Sequence, residues 1–179
     1  MNFSDFKELV LSRQSCRNFN DKPLEPETVE KIAETALLAP SACNSQPWRL
    51  YNVTSADKVK EVCSALQDGG KNPFLNGAQA FIAVAEKNFP EVRTDVAKRF
   101  SANRFVKYDI GEAVAYATLA AEAAGVSSCI IGWMDEERLA AALGLEKDEK
   151  CRVVIALGYS DIPVRAKVRR ERAKVLKNI

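Results

Sequence analysis

The stretch APSACNSQPW, residues 39–48, separates an apolar helical pattern from a run of residues typical of a strand. Because Pro40 disfavours helical backbone at the residue before it, the preceding helix should end there. The polar side chains between the two prolines carry no charge, and their amides and hydroxyls both donate and accept hydrogen bonds. They suit a planar, neutral ligand rich in heteroatoms better than a metal ion or a phosphate. Serine, asparagine and proline are also common in ordinary loops, and this simpler interpretation stays open.

Helices and strands alternate on both sides of this loop. The apolar spacing predicts helices near the N-terminus, from Pro26 and from Ser55, and a basic helix at the end of the chain. Strands are predicted at residues 50–53, 80–85, 129–133 and 152–157. The alternation indicates an α/β or α+β fold, and a doubly wound parallel sheet is the commonest outcome. Neither GxGxxG nor GxxxxGK occurs, so a Rossmann or P-loop nucleotide site lacks its glycine signature.

One helix, over residues 110–124, is apolar on nearly every side. Asp109 and Glu112 have the spacing of a capping box at its start. A helix of this kind is buried all round, so it forms either the middle of a large core or half of a subunit interface. The preceding residues 87–108, which include Phe89, are weakly patterned, and we expect a mobile cover with some helix.

The composition is that of an ordinary globular protein. The chain has 179 residues, of which 47% are hydrophobic and 28% charged, and we expect a single domain over residues 1–179. No run of about 18 apolar residues occurs, so no membrane span or membrane partner is expected. The first residues lack the pattern of a signal peptide, and a cytoplasmic location is the expectation.

The cysteines and histidines narrow the chemistry. The five cysteines include no C-x-x-C pair, and the chain has no histidine. This argues against a zinc site, an iron–sulfur cluster and a disulfide framework, and we expect most of the thiols to be free and buried. Histidine bases and Ser-His or Cys-His nucleophiles are excluded. Any reaction must therefore depend on carboxylates, lysines or a bound cofactor.

Two basic clusters are candidates for a phosphate site. In the extended segment Arg13-x-Ser15-x-Arg17, alternation places two guanidinium groups and a hydroxyl on one face, in a row about 13 Å long. Lys167-x-Arg169 follows the last strand. Arginine binds phosphate oxygens in a bidentate manner. Basic side chains also lie solvated at protein surfaces, so neither cluster alone decides the question.

Taken together, these motifs resemble the nitroreductase family of flavoproteins, in the right order and over nearly the whole chain. The motifs are Arg13-x-Ser15-x-Arg17-x-Phe19, Ala39-Pro40-Ser41-x-x-Asn44-x-Gln46-Pro47-Trp48, Gly125 followed by Ile131-Gly132, the strand Val154 to Tyr159, and Lys167-x-Arg169. The resemblance implies an α+β three-layer sandwich, with a central mixed but mainly antiparallel sheet flanked by helices. It also implies an intertwined homodimer with two FMN molecules at the interface, and it gives helix 110–124 a role in the dimer core.

The resemblance also implies which residues bind FMN. The N-terminal cluster should contact the phosphate, ribityl chain and pyrimidine edge, the late basic pair should complete the phosphate site, and the loop should reach the flavin bound mainly by the other subunit. The end of the third predicted strand should lie along the ring, with its backbone facing the reactive edge. The N-terminal cluster is Arg13, Gln14, Ser15 and Arg17, and the late basic pair is Lys167 and Arg169. The loop residues are Pro40, Ser41, Ala42, Asn44 and Gln46, and the residues along the ring are Ile131 and Gly132. Arg17 should stabilise the anionic reduced flavin, and no catalytic acid or base is expected. Whether Lys71 or Asn72 also contacts the flavin is left open.

The implied reaction is ping-pong transfer of hydride from NADH or NADPH through flavin N5 to a small-molecule electron acceptor, such as a nitroaromatic, quinone, enone or flavin. The cofactor carries the redox chemistry while the protein binds and tunes it. One alternative is a flavin-binding store or sensor without turnover. Another is a nucleic-acid module that uses the seven basic residues of segment 165–177, but no known binding motif accompanies them, and no nucleic-acid partner is expected. The physiological acceptor and the preferred nicotinamide stay open.

Overall fold

The structure is a computed structural model that describes residues 2–87, 94–100 and 104–179. The helices are α1 (Phe3–Ser12), α2 (Pro26–Ala36), α3 (Ala56–Leu66), α4 (Thr94–Arg99), α5 (Val106–Ala123), α6 (Glu136–Leu143) and α7 (Arg172–Val175). The strands are β1 (Trp48–Val53), β2 (Ala80–Lys87), β3 (Ser127–Ile131) and β4 (Glu149–Gly158). No helix among these residues is long and apolar enough to cross a membrane.

The four strands form one sheet in the order β1-β2-β4-β3, and every neighbouring pair is antiparallel. One isolated parallel bridge joins Ser15 to Ser128 at the β3 edge. The mixed, mainly antiparallel α+β sheet is therefore confirmed, and the doubly wound parallel alternative is wrong. Strands β2 and β4 are apolar on both faces because helices cover both faces, and such runs look the same in parallel and antiparallel sheets.

Helices pack on the two faces of the sheet and make the predicted three layers. Helices α2 and α5 cover one face, and α3 and α6 cover the other. The first core includes Val29, Ile32, Ile82, Ile110, Val114 and Ile155. The second core includes Val62, Leu66, Phe81, Leu139 and Val154. Each strand of the centre therefore contributes side chains alternately to two separate cores.

Helix α5 differs from its prediction in two ways. It begins at Val106 rather than Ile110, so Asp109 lies inside its first turns and caps nothing. It is also not buried all round, because Tyr108 is 67% exposed and Tyr116 41% exposed on its outer face. Of the two roles considered for this helix, the inner face packs in the first core, as Ile110 and Val114 show, and a subunit interface on the outer face stays a prediction.

The C-terminal basic helix is also a wrong prediction. After β4 the chain is irregular, and only the four residues of α7 are helical. Like charges four residues apart destabilise a helix, and Arg165 and Arg169 have this spacing. The apolar residue between them, Val168, is 88% exposed and does not pack on the chain. The tail instead lies along the segment that follows α1.

Two smaller predictions concern the variable segment and the cysteines. Within residues 87–108, α4 is helical as expected, whereas Phe89 and the rest of residues 88–93 and 101–103 lie outside the described residues.

All five cysteine thiols are free. Cys43 is exposed, and the buried ones are Cys16, Cys63, Cys129 and Cys151. The expectation of mostly buried, unpaired cysteines is confirmed.

Candidate functional site

The segment after α1 is extended and runs along the outer edge of β3. Its backbone is held there by the bridge between Ser15 and Ser128 and by the Cys16 amide, which donates to the Ser128 carbonyl at 2.9 Å. Cys16 is buried while Arg17 is exposed, as alternation requires. The edge position leaves the outward side chains of this segment available to a ligand.

The C-terminal tail crosses this segment, and Gln14 fastens the two together. Its Nε2 donates to the Pro163 carbonyl at 3.3 Å. Its Oε1 accepts from the backbone amide of Arg165 at 3.2 Å and from the Arg165 Nε at 3.1 Å. Arg165 also donates through Nη2 to the Ser15 carbonyl at 2.9 Å. The two basic clusters of the sequence are thereby brought to one place.

The resulting cation cluster consists of Arg13, Arg165 and Lys167. Lys167 donates to the Arg13 carbonyl, and the Nη1 of Arg13 is buried without a hydrogen-bond partner in the described structure. None of the three forms an ion pair with a carboxylate of the described residues. Burial lowers the pKa of Lys167, and the charges of Arg13 and Arg169 lower it further. A cluster of this kind stabilises a bound anion.

The tail places two basic residues in different relations to this cluster. Arg169 donates to the neighbouring Val168 carbonyl at 2.8 Å, and among the described residues it takes no part in the hydrogen bonds of the cluster, although it lies near enough to lower the pKa of Lys167. Arg165, by contrast, is central to the cluster and was missed. The signal that could have found it is the alternation Arg165-x-Lys167-x-Arg169 in a tail that turns out to be extended.

A cleft of about 170 Å³ opens beside the cation cluster. Its lining includes Gln14, Ser15, Arg17, Ser160, Ile162 and Arg165. The Arg17 guanidinium lies 5.9 Å from the centre of the Phe74 ring, which holds it at the rim by a cation–π contact. Pockets that enclose a cofactor-sized ligand measure roughly 300–1,000 Å³. The cleft of one chain therefore encloses less space than a pocket that surrounds such a ligand on all sides.

The segment after β3 lies at the same edge of the sheet. Ile131 is buried at the end of the strand, whereas Gly132 is exposed, and a Cβ placed on Gly132 would meet no described atom within 4 Å. Trp133 is 54% exposed, and its indole nitrogen donates to the Asp68 carbonyl at 3.1 Å. The Lys71 ammonium lies 5.7 Å from the centre of that ring. This segment thus offers open backbone next to an aromatic ring and a cation.

Asn72 and Lys71 differ in what they do. The Asn72 side chain donates to the Leu66 carbonyl at 2.9 Å, and its backbone is left-handed with φ of 52°. Asparagine tolerates this conformation, so its role is to shape the turn before residues 73–77. Of the two residues, Lys71 is the one with a side chain near the candidate site.

The loop of residues 39–48 has an unusual backbone. Cys43, Asn44 and Gln46 have φ of 55°, 55° and 45°, a region that few residues with side chains adopt. Ser41 holds the turn, because its Oγ accepts from the Gln46 amide at 3.0 Å. The side chains of Pro40, Asn44 and Gln46 are exposed, and those of Ser41 and Ala42 are half-buried. The loop presents polar groups outward, as predicted.

Within one chain, however, the loop lies far from the cation cluster. The loop leads into Trp48 of β1, which pairs with Glu86 of β2, and Glu86 pairs in turn with Lys150 at the start of β4. Ser15 of the other segment bridges to Ser128 of β3, and Ser128 pairs with Leu157 near the end of β4. The loop and the cluster are thus at diagonally opposite corners of the sheet. From a strand spacing of about 4.8 Å and a rise of about 3.3 Å per residue, they are roughly 30 Å apart. A single chain does not bring the two groups of predicted residues together.

The sequence of this chain is similar to those of known proteins. A sequence model of the nitroreductase family matches residues 10–68 and 55–159. A protein of Archaeoglobus fulgidus, whose name combines NADH dehydrogenase with NAD(P)H nitroreductase, is 30% identical over 156 residues, which cover 85% of this chain and 83% of that protein. The oxygen-insensitive NADPH nitroreductase of Helicobacter acinonychis is 27% identical over 182 residues, covering 85% and 86%.

Solved structures named as nitroreductases share the fold. A nitroreductase crystal structure from Exiguobacterium sibiricum, solved in complex with FMN, superposes with a TM-score of 0.83 at 22% identity and covers 100% of this chain and 99% of the other. At this identity the likeness shows the fold, and the sequence match shows the family. The chain belongs to the nitroreductase family.

Proposed function

We propose that this protein is an FMN-dependent oxidoreductase that oxidises NADH or NADPH and reduces a small organic acceptor, such as a nitroaromatic, quinone, enone or free flavin. The proposal is supported by the names of relatives that use NAD(P)H and by the related structure that holds FMN. The chemistry that FMN supplies when bound is two-electron transfer, in which the nicotinamide is oxidised first and the acceptor is reduced afterwards.

The observation that carries the proposal is the buried Nη1 of Arg13, which has no hydrogen-bond partner in the described structure. It lies in a cluster of cations that form no ion pair with a carboxylate of the described residues. A buried guanidinium nitrogen without an acceptor is costly. A phosphate would satisfy it, and the ammonium of Lys167 and the guanidinium of Arg165 add charge at the same place. The residues present therefore fit the phosphate end of FMN.

The rest of the edge fits the other end of the cofactor. Arg17, exposed at the rim of the cleft, would donate to the oxygen-bearing edge of the isoalloxazine and stabilise the negative charge of the reduced ring. Gly132 has no side chain to obstruct the ring, so backbone groups of this segment can approach it closely. These residues bind and orient the cofactor, and none of them is needed as an acid or a base.

We further propose that the working protein is a homodimer and that each FMN is held by two chains. The cleft of one chain encloses less volume than a pocket that surrounds a whole cofactor, and the polar loop lies at the opposite corner of the sheet. Exposed apolar side chains occur on α1, where Phe3 is 81% exposed, and on α5 at Tyr108 and Tyr116. Exposed apolar surface of this kind marks an interface. A partner packed there would bring its own loop to the open side of the cleft.

The test is a titration of the purified protein with FMN, combined with an assay of NADH and NADPH oxidation in the presence of a nitroaromatic or a quinone. We expect one FMN per chain and nicotinamide oxidation that depends on both FMN and acceptor. Protein that fails to take up FMN would contradict the proposal. Protein that binds FMN but does not oxidise NADH or NADPH would be a flavin store or sensor.

A further inference from the structure

Asp109 is a buried acid that the proposed function does not use. Its side chain is on α5, and the residue is only 4% exposed. Its Oδ1 accepts from the Ala42 amide at 3.1 Å, and its Oδ2 has no hydrogen-bond partner in the described structure. The carboxylate thus connects the dimer-facing helix to the polar loop, 67 residues earlier in the chain.

The loop needs such a connection because its backbone is strained. A left-handed backbone conformation is energetically unfavourable for residues other than glycine. Cys43, Asn44 and Gln46 all adopt it. The hydrogen bonds within the 3-10 turn over Ala42–Asn44, such as those from the Asn44 and Ser45 amides to the Ser41 and Ala42 carbonyls, connect the loop only to itself and do not attach it to the rest of the fold. At the end of the loop, Pro47 and Trp48 are buried, and the Pro47 carbonyl accepts from the Lys87 amide at 3.1 Å. At the start of the turn, the corresponding attachment is the bond from Ala42 to Asp109.

We propose that Asp109 is a positioning residue for FMN binding: by accepting from the Ala42 amide, it holds the loop of residues 40–46 in the conformation that completes the flavin site of the partner subunit. The proposal rests on the proposed function, since it assigns the loop to that site. Asp109 itself need not touch the cofactor.

The first experiment measures FMN affinity in three variants of the full-length protein. We expect Asp109→Ala to weaken FMN binding by about tenfold or more, which is the loss of one hydrogen bond to a charged group. Asp109→Asn keeps an acceptor for the Ala42 amide, so we expect binding within about threefold of the unmodified protein. Asp57→Ala, which removes an exposed acid from the first turn of α3, is the control and should leave the affinity unchanged.

The second experiment follows the loop directly, by hydrogen exchange of the FMN-free protein. Asp109→Ala should speed exchange in the peptide that contains residues 40–46, while peptides from β2 and β4 stay protected. Ala42→Pro gives an independent variant, because it removes the donor and leaves Asp109 in place, and proline is tolerated in the first turn of a helix. It should weaken FMN binding in the same direction as Asp109→Ala.

The outcomes separate this proposal from the proposed function. If the unmodified protein does not bind FMN, the proposed function fails, whereas exchange in the loop still reports on Asp109. If Asp109→Ala folds and binds FMN as tightly as the unmodified protein, or leaves exchange in the loop unchanged, the positioning role is wrong. Should Asp109→Ala fail to fold, Ala42→Pro decides, and unaltered FMN binding by that variant overturns the proposal.

Discussion

At the scale of single residues, the cation cluster of Arg13, Arg165 and Lys167 offers the donors that a phosphate group needs. Arg13 and Lys167 are far apart in the chain, and the structure joins them through the bond from Lys167 to the Arg13 carbonyl. The pattern Arg-x-Ser-x-Arg pointed to this place because phosphate chemistry needs such donors. Arg165 was missed because the tail was predicted to be helical, in which case alternate residues would not share a face.

Replacing Arg13 tests the cluster. We expect Arg13→Ala to weaken FMN binding by about 1.5–3 kcal/mol, because a charge-assisted hydrogen bond to the phosphate is lost. The Lys167 ammonium keeps its place, since it bonds to the backbone carbonyl of residue 13 rather than to the side chain. Riboflavin, which lacks the phosphate, should bind the variant and the unmodified protein equally well.

The matched control is Lys174→Ala. Lys174 is an exposed cation of the same tail, paired with Glu171 at 3.0 Å and outside the cluster. If this variant loses as much FMN affinity as Arg13→Ala, or if Arg13→Ala loses none, the phosphate site is not at Arg13.

At the scale of elements, the strands and most helices follow from apolar periodicity, but their ends and directions do not. Asp109 and Glu112 have the spacing of a capping box, yet α5 starts earlier, at Val106. The residues that precede it are weakly patterned, so nothing in the sequence marks the true start. The antiparallel direction of the strands could not be predicted from β2 and β4 either. Both strands are buried on both faces, so they lack the alternation of apolar and polar residues that is typical of antiparallel strands with one face in solvent.

An ionic network ties β1, β2 and the start of β4 together and should control stability in acid. Arg49 lies 2.5 Å from Glu146 and 2.9 Å from Glu149, and Lys87 lies 2.5 Å from Glu146. The hydrogen bonds from Lys87 and Arg49 lower the pKa of Glu146. The pKa of Glu149 is also lowered: burial opposes this, but the hydrogen bond from Tyr51 and the nearby cations outweigh it.

The sign of the pH dependence follows from these shifts. A carboxyl whose pKa is lower in the folded state stabilises the protein above its unfolded pKa of about 4.3, and the stabilisation is lost as the pH falls through the folded value. We expect the melting temperature to fall in this acid range. Glu149→Gln should lower it near neutral pH and show a weaker dependence on acid, as measured by thermal denaturation at a series of pH values. If the melting temperature of Glu149→Gln falls in acid as steeply as that of the unmodified protein, the network is not the cause of the pH dependence.

At the scale of the whole molecule, the fold places the cation cluster and the polar loop, which together would form the proposed FMN site, at opposite corners of a sheet. Family resemblance predicted that the loop serves a second chain, and the separation of roughly 30 Å within one chain gives that prediction a physical basis. Neither periodicity nor motif spacing shows this separation, because both are local in sequence. It follows only from strand order, which depends on tertiary packing.

A variant that cannot dimerise should therefore lose FMN while keeping its fold. Tyr116→Asp places a charge on the exposed face of α5, and we expect a monomer in sedimentation that binds FMN at least about tenfold more weakly. Lys60→Asp, a charge reversal at an exposed position of α3, should stay dimeric and bind FMN normally. A monomeric Tyr116→Asp that binds FMN tightly would show that one chain suffices.

The most direct test of the account as a whole is anaerobic stopped-flow mixing of the FMN-loaded protein with NADH or NADPH, followed by mixing with a nitroaromatic or a quinone. We expect the visible absorbance of the bound flavin to disappear in the first step, before the acceptor is added. It should return in the second step, as each reduced flavin passes two electrons to the acceptor. Bound FMN that stays oxidised in the presence of both nicotinamides would contradict the account.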